Sequence, residues 1–206
     1  MDSLDRKAHW ENIYTKKKLT EVSWYQPSPD TSLHFFDHFK VPTSAKIIDV
    51  GGGDSFLVDH LVKRGYSDIT VVDISPIAIE RAKKRLGDKA KWIKWIIADI
   101  SDFTSPETYD FWHDRAAFHF LNTEDEISNY SATAAKSLNS GSIMVIGSFS
   151  EEGPTRCSGI EITQYSEESM SKRFSSAFNK IDCFKIDHPT PFGTTQNFIF
   201  CTFIKS

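Results

Sequence analysis

The sequence has few of the residues that mark specialised architectures. Of 206 residues only 3 are cysteine, 8 proline and 10 glycine, which excludes a disulfide-dense secreted scaffold, a collagen-like repeat and a Pro/Gly-rich disordered chain. Cys157, Cys183 and Cys201 are odd in number, widely spaced and free of any CxxC or Cys/His cluster, so a reducing compartment fits best and no metal site is expected. No run approaches the roughly 18 apolar residues of a membrane span. The opening MDSLDRKAHW is acidic and no apolar stretch follows it, so no targeting segment is expected and the expected location is cytoplasmic. Positive charge is not in excess: 24 Lys and Arg against 28 Asp and Glu leave a net charge of −4. Such a chain has no general attraction to a phosphate backbone, and nucleic acid is not an expected partner.

What is present is an average soluble composition, 39% hydrophobic and 25% charged. The length suits one domain with its own core, so residues 1–206 are read as a single unit. The surplus is aromatic. With 16 Phe, 6 Tyr and 5 Trp there are more rings than such a core requires.

Residues 1–42 mix charge, aromatics and the turn signals around Pro27 and Pro29, and read as an N-terminal cap of short helices. Leu33, Phe35, Phe36 and Phe39 suit one face of such a helix, with His34 and His38 as surface residues. From Lys46 the pattern changes. KIIDVGGG is a strand running into glycines, followed by a helix over 56–63; ITVVDI (69–74) is a second strand, and Ser75 then caps a helix with Pro76 at its first position. WIKWIIADI (92–100), a strand near 109–113, a helix opened by Thr123 and Glu126, and SIMVIGSF (142–149) continue the alternation. A helix capped by Ser166 sets Met170, Phe174, Ala177, Phe178 and Ile181 toward the core, and 184–189 with 196–204 read as an antiparallel hairpin. Strands alternating with helices predict an α/β fold with a mostly parallel sheet, whose ligands bind beyond the carboxyl ends of the strands.

Asp49, Gly51, Gly52 and Gly53 end the first strand, where bare backbone admits a ligand. Asp73 follows 22 residues after Gly51, at the end of the second strand, where a carboxylate can accept both hydroxyls of a ribose. The pair points to an adenosine-containing ligand. The string GGGDSF differs from GxGxxG, and Asp54 adds negative charge where a pyrophosphate would lie. S-adenosylmethionine has the nucleoside without the phosphate, and its sulfonium suits acidic and aromatic surroundings. Asp99, at the end of the third strand, can meet an adenine amino group, with Ile100 against the ring.

The series IIDVGGG, VVDIS, ADI and YDFWHDRAAFHFL, with the terminal hairpin, resembles the class I S-adenosylmethionine-dependent methyltransferases over nearly the whole chain. HWENIYTKKKLTEVSWYQ, WHDRAAFHFL and GPTRCSGIEITQYS resemble a subgroup related to the thiopurine methyltransferase-like and citrate synthase-lysine methyltransferase proteins. The resemblance implies a Rossmann-like seven-stranded mixed sheet of order 3-2-1-4-5-7-6 with strand 7 antiparallel, helices on both faces, and S-adenosyl-L-methionine as cofactor. It implies that Asp49 and Gly51 underlie the methionine portion, that Asp73 holds ribose, that Ile74 and Ile100 pack on adenine, and that Trp24 and Tyr25 lie against the cofactor. Gly52 and Gly53 belong to the same loop, and Ser55 either contacts the methionine carboxylate or caps the next helix.

Methyl transfer needs an aligned nucleophile and exclusion of water rather than a catalytic triad. The resemblance also places Asp114 beside the transferred methyl, where it would orient an amine or take a proton, with His113 next to it and Arg115 pairing either with Asp114 or with an anionic group. Trp10, Tyr14, Trp24 and Tyr25 suit a lid or an anchored cap, and Trp112 is a further ring for the pocket wall. Arg156, Cys157, Tyr165 and His188 are candidates for substrate contact, and His119 reads as structural. The expected activity is methyl transfer to a small-molecule nucleophile, a thiol among the candidates; the alternatives are a protein-lysine acceptor and a cofactor-binding protein without turnover.

Overall fold

The computed structural model describes residues 5–206. In chain order the elements are α1 (Arg6–Lys16), α2 (Asp30–His38), β1 (Lys46–Val50), α3 (Leu57–Lys63), β2 (Asp68–Asp73), α4 (Pro76–Leu86), β3 (Ile93–Ile97), β4 (Tyr109–Arg115), α5 (Glu124–Ser137), β5 (Leu138–Phe149), β6 (Arg156–Cys157), β7 (Ile160–Glu161), α6 (Glu167–Phe174), β8 (Phe178–Pro189) and β9 (Thr195–Lys205). Seven strands form one sheet in the order β3-β2-β1-β4-β5-β9-β8, and β6 with β7 makes a separate ribbon. β9 runs antiparallel to both β5 and β8. With the ribbon left out of the count, this is the expected order 3-2-1-4-5-7-6 with its last strand in sequence reversed.

Local chemistry sets the helix starts. Ser75 Oγ accepts from the Ala78 amide at 3.1 Å ahead of Pro76, which has no amide proton to leave unsatisfied. Thr123 and Glu126 form the reciprocal capping box that opens α5. Successive strand residues point to opposite faces, so the sheet carries two cores. Ile48, Trp112 and Ile146 face α5 and α6 through Tyr130, Met170 and Phe174; Ile47, Phe111 and Val145 face α2 and α3 through Phe36, Leu57 and Leu61. Phe36 meets Phe111 at 4.5 Å between ring centroids, which docks the cap helix α2 onto the sheet. Burying such a ring contributes about 1.5–3 kcal/mol.

Three features differ from the sequence reading. The helix expected to carry Phe178 and Ile181 stops at Phe174. Ser175 and Ser176 are poor helix formers, Phe178 starts β8 and stays buried, and Ile181 is exposed on that edge strand. β4 extends to Arg115 rather than ending near residue 113. Cys183 and Cys201, directly opposite each other on β8 and β9, are joined by a disulfide, where the cysteine spacing had suggested a reducing compartment. Among the described residues no helix is long and apolar enough to cross a membrane.

Candidate functional site

A cavity opens beyond the carboxyl ends of β1, β2, β3 and β4, under the N-terminal cap. Its floor is the loop 51–55. Gly51 has φ +67°, a left-handed conformation that glycine adopts without strain. At Gly52 a Cβ would collide with the Asp49 carboxylate, and at Gly53 one would lie 2.5 Å from Asp73 Oδ2. The glycines therefore exist to let two carboxylates lean on the loop backbone. Asp73 accepts from the Gly53 amide at 2.9 Å and the Ser75 amide at 2.8 Å. Burial outweighs those bonds and pushes its carboxyl up to about 6. Gly51 and Ser55 direct their amides to the Val72 and Gly52 carbonyls. With these amides engaged, the loop lacks the row of free donors a pyrophosphate needs.

Asp49 Oδ1 accepts from His113 Nδ1 at 2.7 Å, while its Oδ2 is buried with no partner. The second ring nitrogen of His113 lies 2.9 Å from Ser32 Oγ on α2. A carboxylate only accepts, so the proton sits on Nδ1 and the Ser32 hydroxyl donates to Nε2. Asp99 accepts from the Ser101 amide at 2.9 Å and has Arg6 at 3.6 Å. Asp54, the acid that argued against phosphate, is matched by Arg81 at 3.2 Å and Arg85 at 2.6 Å. An orphaned carboxylate oxygen, the Asp73 carboxylate on the cavity lining and the half-buried Ile74 and Ile100 on its wall fit a ligand with an adenosine and an ammonium group. Ser55 lines the cavity, and its Oγ accepts from the Leu57 amide at 3.0 Å at the start of α3.

Aromatic rings also line the cavity. Trp10 packs edge-on against Trp24 at 5.7 Å and Phe120 at 5.1 Å, and Tyr25 approaches Phe56 at 6.2 Å. Arg115 lies over the Phe198 ring at 4.9 Å and donates from Nη1 to the Trp24 carbonyl at 3.2 Å. Cys157 also lines the cavity, its thiol pushed up to about 11 by burial.

Asp49, Gly51, Gly52, Ser55, Asp73, Ile74, Asp99, Ile100, His113, Arg115, Trp24, Tyr25 and Cys157 thus surround one cavity. Asp114 does not. Because β4 continues through Arg115, Asp114 points to the opposite face from His113 and Arg115. It is fully buried there, accepting from Tyr130 Oη at 2.6 Å and from the amides of Ala117 and Phe118 at 2.9 and 3.2 Å. Trp112 shares that network, donating to Tyr130 Oη at 2.9 Å away from the cavity. Tyr165 stacks on Phe118 in the same core, and Arg156 is exposed and paired with Glu161 at 2.9 Å. Gly53 lies behind the wall, holding Asp73. His188 donates to the Ser23 carbonyl at 2.8 Å and meets Gln26 at 3.4 Å, so it pins the cap segment that carries Trp24 and Tyr25. His119 is buried, with burial and Arg115 driving its pKa down to about 3. Ser32, Arg6, Arg81 and Phe198 were missed, because their approach to the site depends on long-range docking that no local spacing reveals.

A methyltransferase domain model matches residues 47–141. EEF1A lysine methyltransferase 2 from Mus musculus is 27% identical over 114 residues, covering 52% of this chain. That stretch covers 46% of the relative, so the chain spans about half the length of the curated protein it matches. A SAM-dependent methyltransferase from Anabaena variabilis superposes with a TM-score of 0.76 at 13% identity, over 99% of this chain and 96% of the other. The 1,6-didemethyltoxoflavin-N1-methyltransferase of Burkholderia thailandensis, solved with S-adenosylhomocysteine bound, gives 0.69 at 17% identity over 97% of this chain and 84% of the other. The fold is that of the class I S-adenosylmethionine-dependent methyltransferases.

Proposed function

We propose that this chain transfers a methyl group from S-adenosylmethionine to a small-molecule nucleophile, a thiol among the candidates, in the cavity beneath its cap. The observation that carries the reading is that one cavity is lined both by the carboxylates and glycines of the strand ends and by the aromatic rings of the cap. The cofactor would supply a methyl group made electrophilic by the sulfonium that carries it. Asp73 would accept the ribose hydroxyls, Asp49 Oδ2 the ammonium group, and Asp99 the adenine amino group between Ile74 and Ile100. His113, engaged by both Asp49 and Ser32, holds the Asp49 carboxylate in orientation rather than taking a proton from the acceptor. Trp10, Trp24 and Phe120 exclude water, which favours proximity-driven displacement without a covalent intermediate. The motifs HWENIYTKKKLTEVSWYQ, WHDRAAFHFL and GPTRCSGIEITQYS support the proposal that the chain is akin to thiopurine methyltransferase-like and citrate synthase-lysine methyltransferase proteins.

A protein-lysine acceptor is the second reading, supported by the name of the mouse relative. Calorimetry with S-adenosylhomocysteine, followed by its production from S-adenosylmethionine with thiol, amine and protein panels, tests both. Binding with turnover on small acceptors is expected. Turnover on proteins alone favours the second reading, and binding with no turnover on any panel makes the chain a cofactor-binding protein.

A further inference from the structure

We propose that the outer edge of β8 is a homodimer surface, on which a second copy of this chain lays its own β8 antiparallel across a two-fold axis at Ile186 and joins the two sheets. β8 is the last strand of the sheet, and among the described residues no element pairs with its outer side. It is 12 residues long, and Ile186 on it is 37% exposed. A long open edge that carries apolar side chains is a template for another strand.

The hairpin register determines which backbone groups are free. The Thr190 amide donates to the Thr194 carbonyl at 2.8 Å, and hydrogen-bonded pairs recur at every second residue of an antiparallel ladder. His188–Gln196, Ile186–Phe198 and Phe184–Phe200 are therefore the bonded pairs, while Cys183, Lys185, Asp187 and Pro189 turn their backbone groups outward. Three features of β8 agree. Cys183 and Cys201 lie 4.2 Å apart between Cα atoms, the close spacing of a non-hydrogen-bonded pair. The Cys183 amide donates to Asp182 Oδ1 rather than to β9. Pro189, which has no amide proton, falls at an outward position, where β9 needs no donor.

Two antiparallel strands must set outward residues opposite outward residues, which leaves few ways for β8 to pair with itself. A two-fold at Lys185 puts Lys185 on its own copy, and one at Asp187 puts Asp187 on its own copy; both bring like charges together. A two-fold at Cys183 or Phe184 runs the pairing into the irregularity between Lys180 and Asp182. The two-fold at Ile186 sets Lys185 opposite Asp187 on both sides of the axis and gives their free amides and carbonyls mutual partners. It also brings Ile186 against Ile186 as a close, non-hydrogen-bonded pair. Within one chain Lys185 is 2.7 Å from Glu152, and Asp187 accepts from Asn197 Nδ2 at 2.7 Å, exposed contacts that cost little to exchange. The same register lays Phe184 of the second copy opposite His188, which pins the cap through the Ser23 carbonyl, so association braces the cap of each subunit.

Sedimentation equilibrium over a concentration series tests the surface on the intact chain. The wild type is expected to reach twice the mass of one chain. Lys185→Asp and Asp187→Lys should each weaken self-association by about tenfold or more, because each places like charges opposite one another. Both side chains are exposed on the edge. An equimolar mixture of the two variants should associate as the wild type does, since each then meets its complement, and the variant carrying both changes should recover as well. Recovery in the mixture excludes misfolding as the cause of the loss. A wild type that stays monomeric up to about 1 mM overturns the proposal. So does a dimer equally stable in either single variant, or a loss that the mixture fails to restore.

Discussion

His113 donates from Nδ1 to Oδ1 of Asp49 across 2.7 Å, with both side chains almost completely buried. The bond leaves Asp49 Oδ2 as the buried oxygen without a partner, and Ser32 on α2 fixes the other edge of the imidazole at 2.9 Å. Cap helix and first strand are therefore coupled through one ring. Replacing His113 with Ala frees the Asp49 carboxylate to rotate, and S-adenosylhomocysteine affinity should fall about tenfold, the equivalent of one lost charge-assisted hydrogen bond. Ser32→Ala should act in the same direction and more weakly. Calorimetry decides: unchanged affinity in a destabilised His113→Ala would reduce the bond to core packing.

Asp73 holds two backbone amides as well as facing the cavity, so its removal has two consequences. Asp73→Ala should weaken S-adenosylhomocysteine binding by about tenfold or more and also destabilise the fold by about 1–3 kcal/mol, because the Gly53 and Ser75 amides lose their acceptor. Isothermal binding and urea denaturation measure the two separately. Retained affinity at reduced stability would mean that Asp73 shapes the loop without touching the ligand.

Asp114 should behave as a structural residue. Burial, opposed by the Tyr130 hydroxyl and two amide donors, holds its carboxyl up to about 6, against about 3.9 in an unfolded chain. In that interval the folded state binds more protons than the unfolded one. The contribution is thus complete below the unfolded value and is lost as pH rises through about 6. Comparing wild type with Asp114→Asn removes the other titrating groups from the difference. The wild type should gain about 1.4 kcal/mol relative to the variant between pH 7 and pH 5, read from urea midpoints. The variant should also lower Tm at neutral pH: with its carbonyl oxygen kept by the Ala117 and Phe118 amides, the amide nitrogen stands in place of Oδ2 and cannot accept the Tyr130 hydroxyl. A large fall in kcat at saturating acceptor with stability untouched would return Asp114 to the reacting centre.

That residue marks where local reading stopped. Alternating strands and helices, the helix caps, the glycine loop and the acids at strand ends were legible, since each depends on neighbours within a few residues. Whether Asp114 faces ligand or core depended on β4 ending at 113 or at 115, because a strand turns each successive side chain to the other face. The Cys183–Cys201 pair depended on hairpin register, which runs unbroken from the Pro189–Thr195 turn through these two residues. For Arg115 the sequence left two partners open, Asp114 and an anionic group, and could not choose between them. WHDR sets an acid beside the arginine in sequence, and only the pleat of the strand separates them in space.

Arg81 joins the nucleotide-type half of the sheet to the cap, and its loss should open the cavity from above. On α4 it pairs with the buried Asp54 at 3.2 Å, and its Nη2 donates to the Tyr14 carbonyl and, at 2.8 Å, to that of Lys17. Those carbonyls lie at the C-terminal end of α1, where backbone acceptors lack helical partners and a cation is favourable. Arg81→Met keeps much of the aliphatic bulk and removes all of these bonds. Asp54 retains Arg85 at 2.6 Å, so the glycine loop should hold while α1 loosens. Hydrogen exchange should therefore rise over residues 6–17 and leave β1 and β2 protected. Affinity for S-adenosylhomocysteine should drop by about threefold to tenfold, since the Trp10 and Tyr14 wall becomes less ordered before binding. Exchange that rises equally across the sheet would instead make Arg81 a general stabiliser, with no particular hold on the cap.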